Sequence, residues 1–293
     1  MTEGIALTGA GSYIGLRLLE RLAAGRERPI VAIASPRSMR PEHLPPWIRW
    51  VQMDLAAQTP ALGEILQSTG VLLHLAWART GGDEQALLAR NTAMIRQLTA
   101  ALPDPGAFWF LSSVSASSQA RSSYGRIKFA MEQLVRNLGG SLLSVGLVVE
   151  RDPPAGPYKM LRSLVQKLPF AFRTTLGSVP VYPIRMDDFL PAMTRLLDAP
   201  PPPGAYRVFT DPLPFNAFMR HLEAGFTRGR MPLPLPLPLL LAGARAWQRT
   251  GLPPRKPVDQ ILTLFYKDAA HLAKHRPLPG ATFEACSGTE FFR

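Results

Sequence analysis

The chain has a single cysteine, Cys286, in 293 residues. That excludes a disulfide framework and any cysteine-based zinc site, and it fits a reducing compartment, so the cytoplasm is the expected location. Long apolar runs are also missing. The most apolar stretch, from Pro232 to Ala244, is interrupted by Pro234, Pro236 and Pro238 and falls short of the ~20 apolar residues a spanning helix needs. The opening Met1-Thr2-Glu3-Gly4 lacks the basic lead of a secretory signal and runs straight into a strand-like segment. Acidic residues are scarce as well: 21 against 33 basic side chains leave a formal net charge of +12.

Proline is what the chain has in excess, with 30 residues where a usual frequency of ~5% would give about half as many. Proline and charge are both uneven. Residues 1–150 hold 8 prolines and a net charge of +3, whereas residues 151–293 hold 22 and +9. An excess of positive charge suits nucleic acid, a membrane surface or a phosphorylated small molecule. The basic residues are scattered, the densest cluster being Arg255-Lys256, and no zinc-finger or RNP-type motif accompanies them. Nucleic acid is therefore not expected; a solvated basic surface or a phosphate-bearing small-molecule substrate is. The length predicts one large or two interlocked domains.

The first half alternates strand-like and helix-like segments. Strands are predicted at Ile5–Thr8, Pro29–Ala34, Trp50–Leu55, Val71–Ala76, Phe108–Leu111 and Leu142–Val149, and helices at Ile14–Ala24, Asp83–Leu102 and Tyr124–Leu138. Near-continuous apolar strands separated by helices mark a parallel sheet covered on both faces, a doubly wound α/β fold. The second half is less regular. Helices are expected at Met160–Lys167, Asp188–Leu197, Asn216–Ala224, Leu239–Gln248 and Val258–His271, joined by proline-rich connectors that include Pro253-Pro254. The Pro-Leu alternation from Pro232 to Pro238 predicts extended backbone, and the segment reads as a packed arm or lid, with a membrane-associated substrate as the other reading.

Between the first strand and helix lies Thr8-Gly9-Ala10-Gly11-Ser12-Tyr13-Ile14-Gly15. Gly9 can take the torsions of a tight turn, the amides of Ser12, Tyr13 and Ile14 at the helix start can meet a pyrophosphate, and Gly15 lets the helix pack closely on the sheet. A dinucleotide fold that prefers NAD places a carboxylate at the end of the second strand. Here Ala34-Ser35-Pro36-Arg37 has none; Ser35 can hydrogen-bond and Arg37 can pair with a 2′-phosphate, which favours NADP over NAD. Tyr124 and Lys128 stand at i and i+4, on one face of a helix. A nearby ammonium favours the phenolate and brings a tyrosine that ordinarily ionises near pH 10 toward working pH, so Tyr124 can give or take a proton.

The glycine turn resembles the Thr-Gly-x-x-Gly-x-x-Gly motif of the extended short-chain dehydrogenases/reductases, the NAD-dependent epimerase/dehydratase family, with the middle glycine falling on Ser12 and a glycine one place earlier at Gly11. The resemblance recurs in order over roughly residues 4–210. Asp54-Leu55 resembles the pair whose carboxylate faces the adenine amino group. His74-Leu75-Ala76 resembles the His-Leu-Ala lining the cofactor cleft, and places Leu75, Ala76 and Trp77 beside the cofactor; His74 itself is expected to be a buried, satisfied histidine. Asn91 matches an asparagine that braces the active-site strand. The resemblance puts the substrate-polarising hydroxyl on Ser113, with Ser112 and Ser115 a slip of one or two residues away.

The family implication is a Rossmann-type α/β fold with a dinucleotide-binding domain over 1–155 and a smaller, irregular, α-rich substrate region over 156–293, of which about 178–210 returns to the first domain. It implies NAD(P)-dependent hydride transfer at a carbonyl or alcohol carbon, of a sugar nucleotide, with Ser113, Tyr124 and Lys128 as the catalytic set and a homodimer by analogy. The Asp-Glu pair that dehydratases carry after the hydroxyl is replaced by Val114-Ser115, which points away from dehydration toward epimerisation or ketoreduction. The loop usually reading Tyr-Gly-Pro after the sixth strand is Glu150-Arg151-Asp152-Pro153-Pro154. A non-catalytic scaffold or redox sensor on the same fold is the competing reading.

Overall fold

Alternate residues of the central strands face opposite ways, and both sets are apolar. In Gly4–Thr8 (β1), Ile5 and Leu7 join one core cluster while Ala6 joins another. The same split runs through Thr69–His74 (β4), where Val71 and Leu73 oppose Leu72, and through Phe108–Ser113 (β5), where Trp109 opposes Phe108 and Phe110. A sheet with two apolar faces must be covered on both. In the computed structural model, which describes residues 4–25, 28–78, 83–154, 156–226, 230–251 and 257–286, helices do this.

Besides β1, β4 and β5, the sheet contains Ile30–Ala34 (β2), Ile48–Gln52 (β3) and Ser141–Val145 (β6), and is completed by strands Ala205–Val208 and Arg276–Pro277. All eight strands are parallel. From one edge the order is β3-β2-β1-β4-β5-β6, then Ala205–Val208 and Arg276–Pro277. The order reverses between β1 and β4, where a doubly wound fold opens its ligand crevice. Tyr13–Ala23 (α1) contributes Leu18, Leu19 and Leu22 to one face. Leu62–Leu66 (α2), Glu84–Ala101 (α3) and Ser123–Asn137 (α4) cover the other.

The second half builds Pro157–Lys167 (α5), Met186–Asp198 (α6), Phe215–Ala224 (α7), Leu237–Arg249 (α8), Pro257–Phe265 (α9) and Ala269–Leu272 (α10). Helix α6 packs on α1's face of the sheet through Phe189, Met193 and Leu197. Helices α5 and α7 form a third core around Tyr158, Phe215 and Phe218.

Several element predictions need correction. The third strand ends at Gln52, so Asp54 and Leu55 lie beyond it; its register against Ile30–Ala34 starts at Ile48, directly after the prolines 45 and 46. The sixth strand breaks at Gly146, because Leu147–Val149 leaves the main sheet to pair with Pro183–Arg185. The helix expected over Val258–His271 is two helices, since Asp268 starts a new one by accepting the His271 amide at 3.0 Å. Extended backbone holds for the strand Pro232–Leu235 and for Pro236, which caps α8; Pro238 lies in the first turn of that helix, where its missing N–H costs nothing. The Arg255-Lys256 cluster and Pro253-Pro254 lie outside the described residues.

The C-terminal segment is stitched to the sheet by a buried polar network. Ser112 on β5 donates to Glu132 Oε1 at 2.5 Å, and His271 Nε2 lies 3.0 Å from Glu132 Oε2. His275 holds Ser144 Oγ on β6 at 2.8 Å through Nδ1, and Arg136 at 3.2 Å through Nε2. Burial first, with help from His271 and Arg136 and against the pull of Glu132, lowers the His275 pKa to about 4.

This fixes a sign for acid stability. In the unfolded chain His275 binds a proton near pH 6.5, but in the fold only near pH 4, so between those values the unfolded state holds more protons. Stability is complete above about pH 6.5 and is lost as the pH falls, with a slope of about 1 kcal/mol per pH unit from this residue. Urea unfolding across this range is expected to show the slope, and His275→Gln to flatten it.

Candidate active site

The glycine turn sits at the C-terminal end of β1, against the loop leaving β4. Gly9 has φ +68°, and a Cβ there would lie 2.7 Å from the Ala76 amide nitrogen. Only glycine combines that torsion with that approach. The shifted glycine has its own explanation: a Cβ on Gly11 would meet the Ser38 side chain at 2.4 Å, so the loop after β2 closes against this position. Ser12, where the family has glycine, caps α1 by accepting the Gly15 amide at 3.1 Å. Tyr13 and Ile14 open the helix behind it. The Ser12 amide, expected to meet the pyrophosphate, instead donates to the Gly9 carbonyl at 2.9 Å and closes the turn, so the backbone that fits a dinucleotide pyrophosphate is the helix start at Tyr13 and Ile14.

At the end of β2, Ser35 and Arg37 are exposed. Ser35 Oγ lies 2.9 Å from Ser38 Oγ. Arg37 has no hydrogen bond or ion pair among the described residues. Asp54 accepts the Ala56 amide at 3.0 Å and meets Arg90 at 3.2 Å, at the surface, while Leu55 is buried. Asn91 is buried in α3 and spans to the β4 loop: its Oδ1 accepts the Ala78 amide at 3.1 Å and its Nδ2 donates to Leu87 at 2.7 Å. It thus braces the segment after β4, not β5. Leu75, Ala76 and Trp77 line that segment, each half-buried.

Trp77 brings the next residues together. Its ring meets Tyr124 edge-on at 5.5 Å, and Lys128 Nζ lies 4.2 Å from its centroid. Lys128 is buried, donates to the Leu111 carbonyl at 2.7 Å, and also lies 4.4 Å over Phe110 and 6.0 Å from the Tyr124 ring. Ring faces and a carbonyl are what allow an ammonium to be buried there. His74, one strand away, is a buried histidine held by Thr8 Oγ1 at 2.6 Å; burial, then the Lys128 charge, lowers its pKa to about 3.

The three serines at the end of β5 are in different circumstances. Ser112 is buried and spent on Glu132. Ser115 is buried, lies 2.7 Å from Lys267 Nζ and donates to the Thr263 carbonyl. Ser113 is half-buried, and its Oγ accepts the Ser115 amide at 3.2 Å. Of the three, its hydroxyl proton is the one with no acceptor among the described residues.

Sequence reasoning missed the residues that come from the C-terminal segment. Asp259 on α9 accepts the Ser123 amide at 2.5 Å and hydroxyl at 2.9 Å, and the Tyr124 amide at 3.4 Å, capping the first turn of α4. Lys267 lies beside Ser115, and burial lowers its pKa to about 7. No local pattern marks either residue, because each acts on a partner more than 130 positions away. In the altered loop after Val149, Glu150 pairs with Arg17 of α1 at 3.0 Å, and burial, then Asp187 and Asp152, raises its pKa.

Residues 5–149 match the NAD dependent epimerase/dehydratase family. No curated protein matches the sequence. Among solved structures, a nucleoside-diphosphate-sugar epimerase from Staphylococcus aureus superposes with a TM-score of 0.77 at 10% identity, covering 99% of this chain and 100% of its own. UDP-glucuronic acid 4-epimerase from Bacillus cereus, solved with UDP-glucuronic acid and NAD, gives 0.62 at 18% identity over 80% and 86% of the two chains. The NDP-hexosamine 5,6-dehydratase TunA gives 0.63 at 16% identity over 96% and 93%. These likenesses are of fold. Over its first half, where the glycine turn, Trp77, Tyr124 and Lys128 meet, the chain belongs to the NAD-dependent epimerase/dehydratase family, the extended short-chain dehydrogenases/reductases.

Proposed function

We propose that this protein is an NADP-dependent epimerase or ketoreductase acting at a carbonyl or alcohol carbon of a sugar nucleotide, with residues 1–155 holding the cofactor and most of 156–293 the substrate. The observation that carries the reading is the Tyr124–Trp77–Lys128 assembly at the crevice end of the sheet, next to a glycine turn that leaves backbone amides at a helix start. When bound, the nicotinamide supplies a hydride donor or acceptor. The Gly9–Gly15 turn would hold its pyrophosphate, and Asp54, Leu55, Leu75 and Ala76 would line the adenine side of the crevice.

The chain's own residues do the rest. Tyr124 Oη gives or takes the proton of the reacting oxygen. Lys128, anchored on Leu111 and over Trp77 and Phe110, supplies the positive charge that favours the phenolate. Ser113 keeps its hydroxyl proton for the same oxygen, while Ser112 and Ser115 are committed elsewhere. Asp259 fixes the first turn of α4 and with it the Tyr124 backbone. Dehydration needs a further acid and base after the hydroxyl; the residues there are the buried Val114 and Ser115. The preference for NADP rests on Arg37, exposed and without an ion-pair partner among the described residues, where an NAD-preferring site has a carboxylate.

The second reading, a cofactor-binding scaffold, draws on the loop after Val149, where Glu150 is tied to Arg17 in place of the family's Tyr-Gly-Pro. Turnover separates the two. With NADPH or NADP and a panel of sugar nucleotides, Tyr124→Phe is expected to lower kcat by about 10²–10⁴ with an unchanged cofactor Kd. Binding without turnover in the wild type would favour the scaffold. In fluorescence titrations Arg37→Ala is expected to weaken NADPH about tenfold, the loss of one charge-assisted contact, and to leave NADH unchanged; equal effects on both would overturn the NADP assignment.

A further inference from the structure

Four of the six large hydrophobic side chains exposed among the described residues, Met231, Leu233, Leu239 and Trp247, fall between positions 231 and 247. Scattered exposed hydrophobics are ordinary, but a cluster is a contact surface. Its charge is as biased as its polarity. From Glu223 to Asp259 the sequence has no acidic residue between them and six basic ones, Arg228, Arg230, Arg245, Arg249, Arg255 and Lys256. That is half of the net charge of +12 in one stretch.

Helix α8 organises the described part of this stretch. Leu237 and Ala244 are buried, and Leu240 and Leu241 pack on the third core. Leu239, Ala242, Gly243 and Ala246 recur at i, i+3, i+4 and i+7, so they share the opposite, outward face. Trp247 borders that face on one side, and Arg245 and Arg249, four apart, border it on the other. Both arginines are exposed, and neither has a hydrogen bond or ion pair among the described residues. The preceding strand, Pro232–Leu235, pairs among the described residues only with Ala171–Thr174, and it adds the exposed Leu233, two positions from Met231. At 13 residues, roughly 20 Å long, α8 is too short to span a bilayer, and no helix among the described residues is long and apolar enough to do so.

We propose that the outward face of α8 docks this protein on an anionic lipid surface, the helix lying in the plane of the interface. An apolar face with a tryptophan at its border and unpaired arginines alongside is the composition of an interfacial helix. The apolar residues enter the acyl boundary, the indole sits at the headgroup level, and the guanidinium groups meet lipid phosphates. A nucleic acid would use the arginines but leave Leu239 unexplained. An acidic protein has no need of the indole at the border of an otherwise aliphatic face.

Vesicle sedimentation of the full-length protein tests this, using pure phosphatidylcholine and an equimolar mixture with phosphatidylglycerol. Binding is expected to the mixed vesicles, at least tenfold weaker to the neutral ones, and weakened by salt. Arg245→Gln with Arg249→Gln is expected to weaken it about 30-fold, on the basis of a per-charge contribution near the surface. Leu239→Ser with Trp247→Ser should weaken it without moving the salt dependence. All four positions are exposed, so circular dichroism and NADPH affinity should stay at wild-type values. Equal binding to both vesicle types, no binding to either, or wild-type binding by the arginine variant would each overturn the proposal. So would tight binding to an oligonucleotide of random sequence in place of vesicles. A dimer in light scattering that Leu239→Ser with Trp247→Ser splits, without vesicle binding, would assign this face to a second copy and overturn it too.

Discussion

A buried ammonium is the constraint on which the rest of this site depends. Lys128 leaves water on the inner side of α4 and must be compensated there. The Leu111 carbonyl and the faces of Trp77 and Phe110 do so, which fixes the end of β5, the loop after β4 and the first turns of α4 relative to one another. The cost spreads to its neighbours. His74, buried nearby, is held neutral partly by the same charge and satisfies itself on Thr8 at the end of β1. The turn that begins at Gly9 therefore leaves the sheet next to a strand whose last side chain is already committed.

The C-terminal elements close around this centre from outside the dinucleotide half. Asp259 caps α4, His271 reaches Glu132 on the same helix, and Lys267 lies against Ser115. These contacts leave Ser113 with its hydroxyl proton uncommitted between two serines that are spent. Helix α4 is thus held at two points, and the loop before it at a third, by a segment that makes little of the main sheet. The opposite side of the C-terminal region faces outward as α8 and the Pro-Leu strand, so one segment serves both the crevice and the surface.

Legibility followed the range of each interaction. The parallel sheet was readable because period-two burial on both faces leaves near-continuous apolar runs, as in Val71–Leu73 and Phe108–Phe110. The glycine turn and the Tyr124/Lys128 pair were readable because their geometry is set within a few residues. The strand boundary at Gln52 was not, since register against β2 and not apolarity ended the strand. The break near Tyr266–Asp268 was missed because an aspartate cap competes with a continuing helical pattern and wins through one hydrogen bond. The choice among Ser112, Ser113 and Ser115 could not be made from three serines in four positions. It turns on what Glu132, Lys267 and Thr263 do to two of them.

The sequence by itself determined a doubly wound α/β sheet, a glycine turn after its first strand and a tyrosine–lysine pair on one helix face. Each of these is a local periodicity or a short spacing. Only the tertiary structure decided which serine keeps its proton, how Lys128 is buried, and that the acid-free stretch after Glu223 presents apolar side chains and arginines together on an outward face. Those outcomes depend on desolvation and on partners distant in the chain, and neither is written in any run of neighbouring residues.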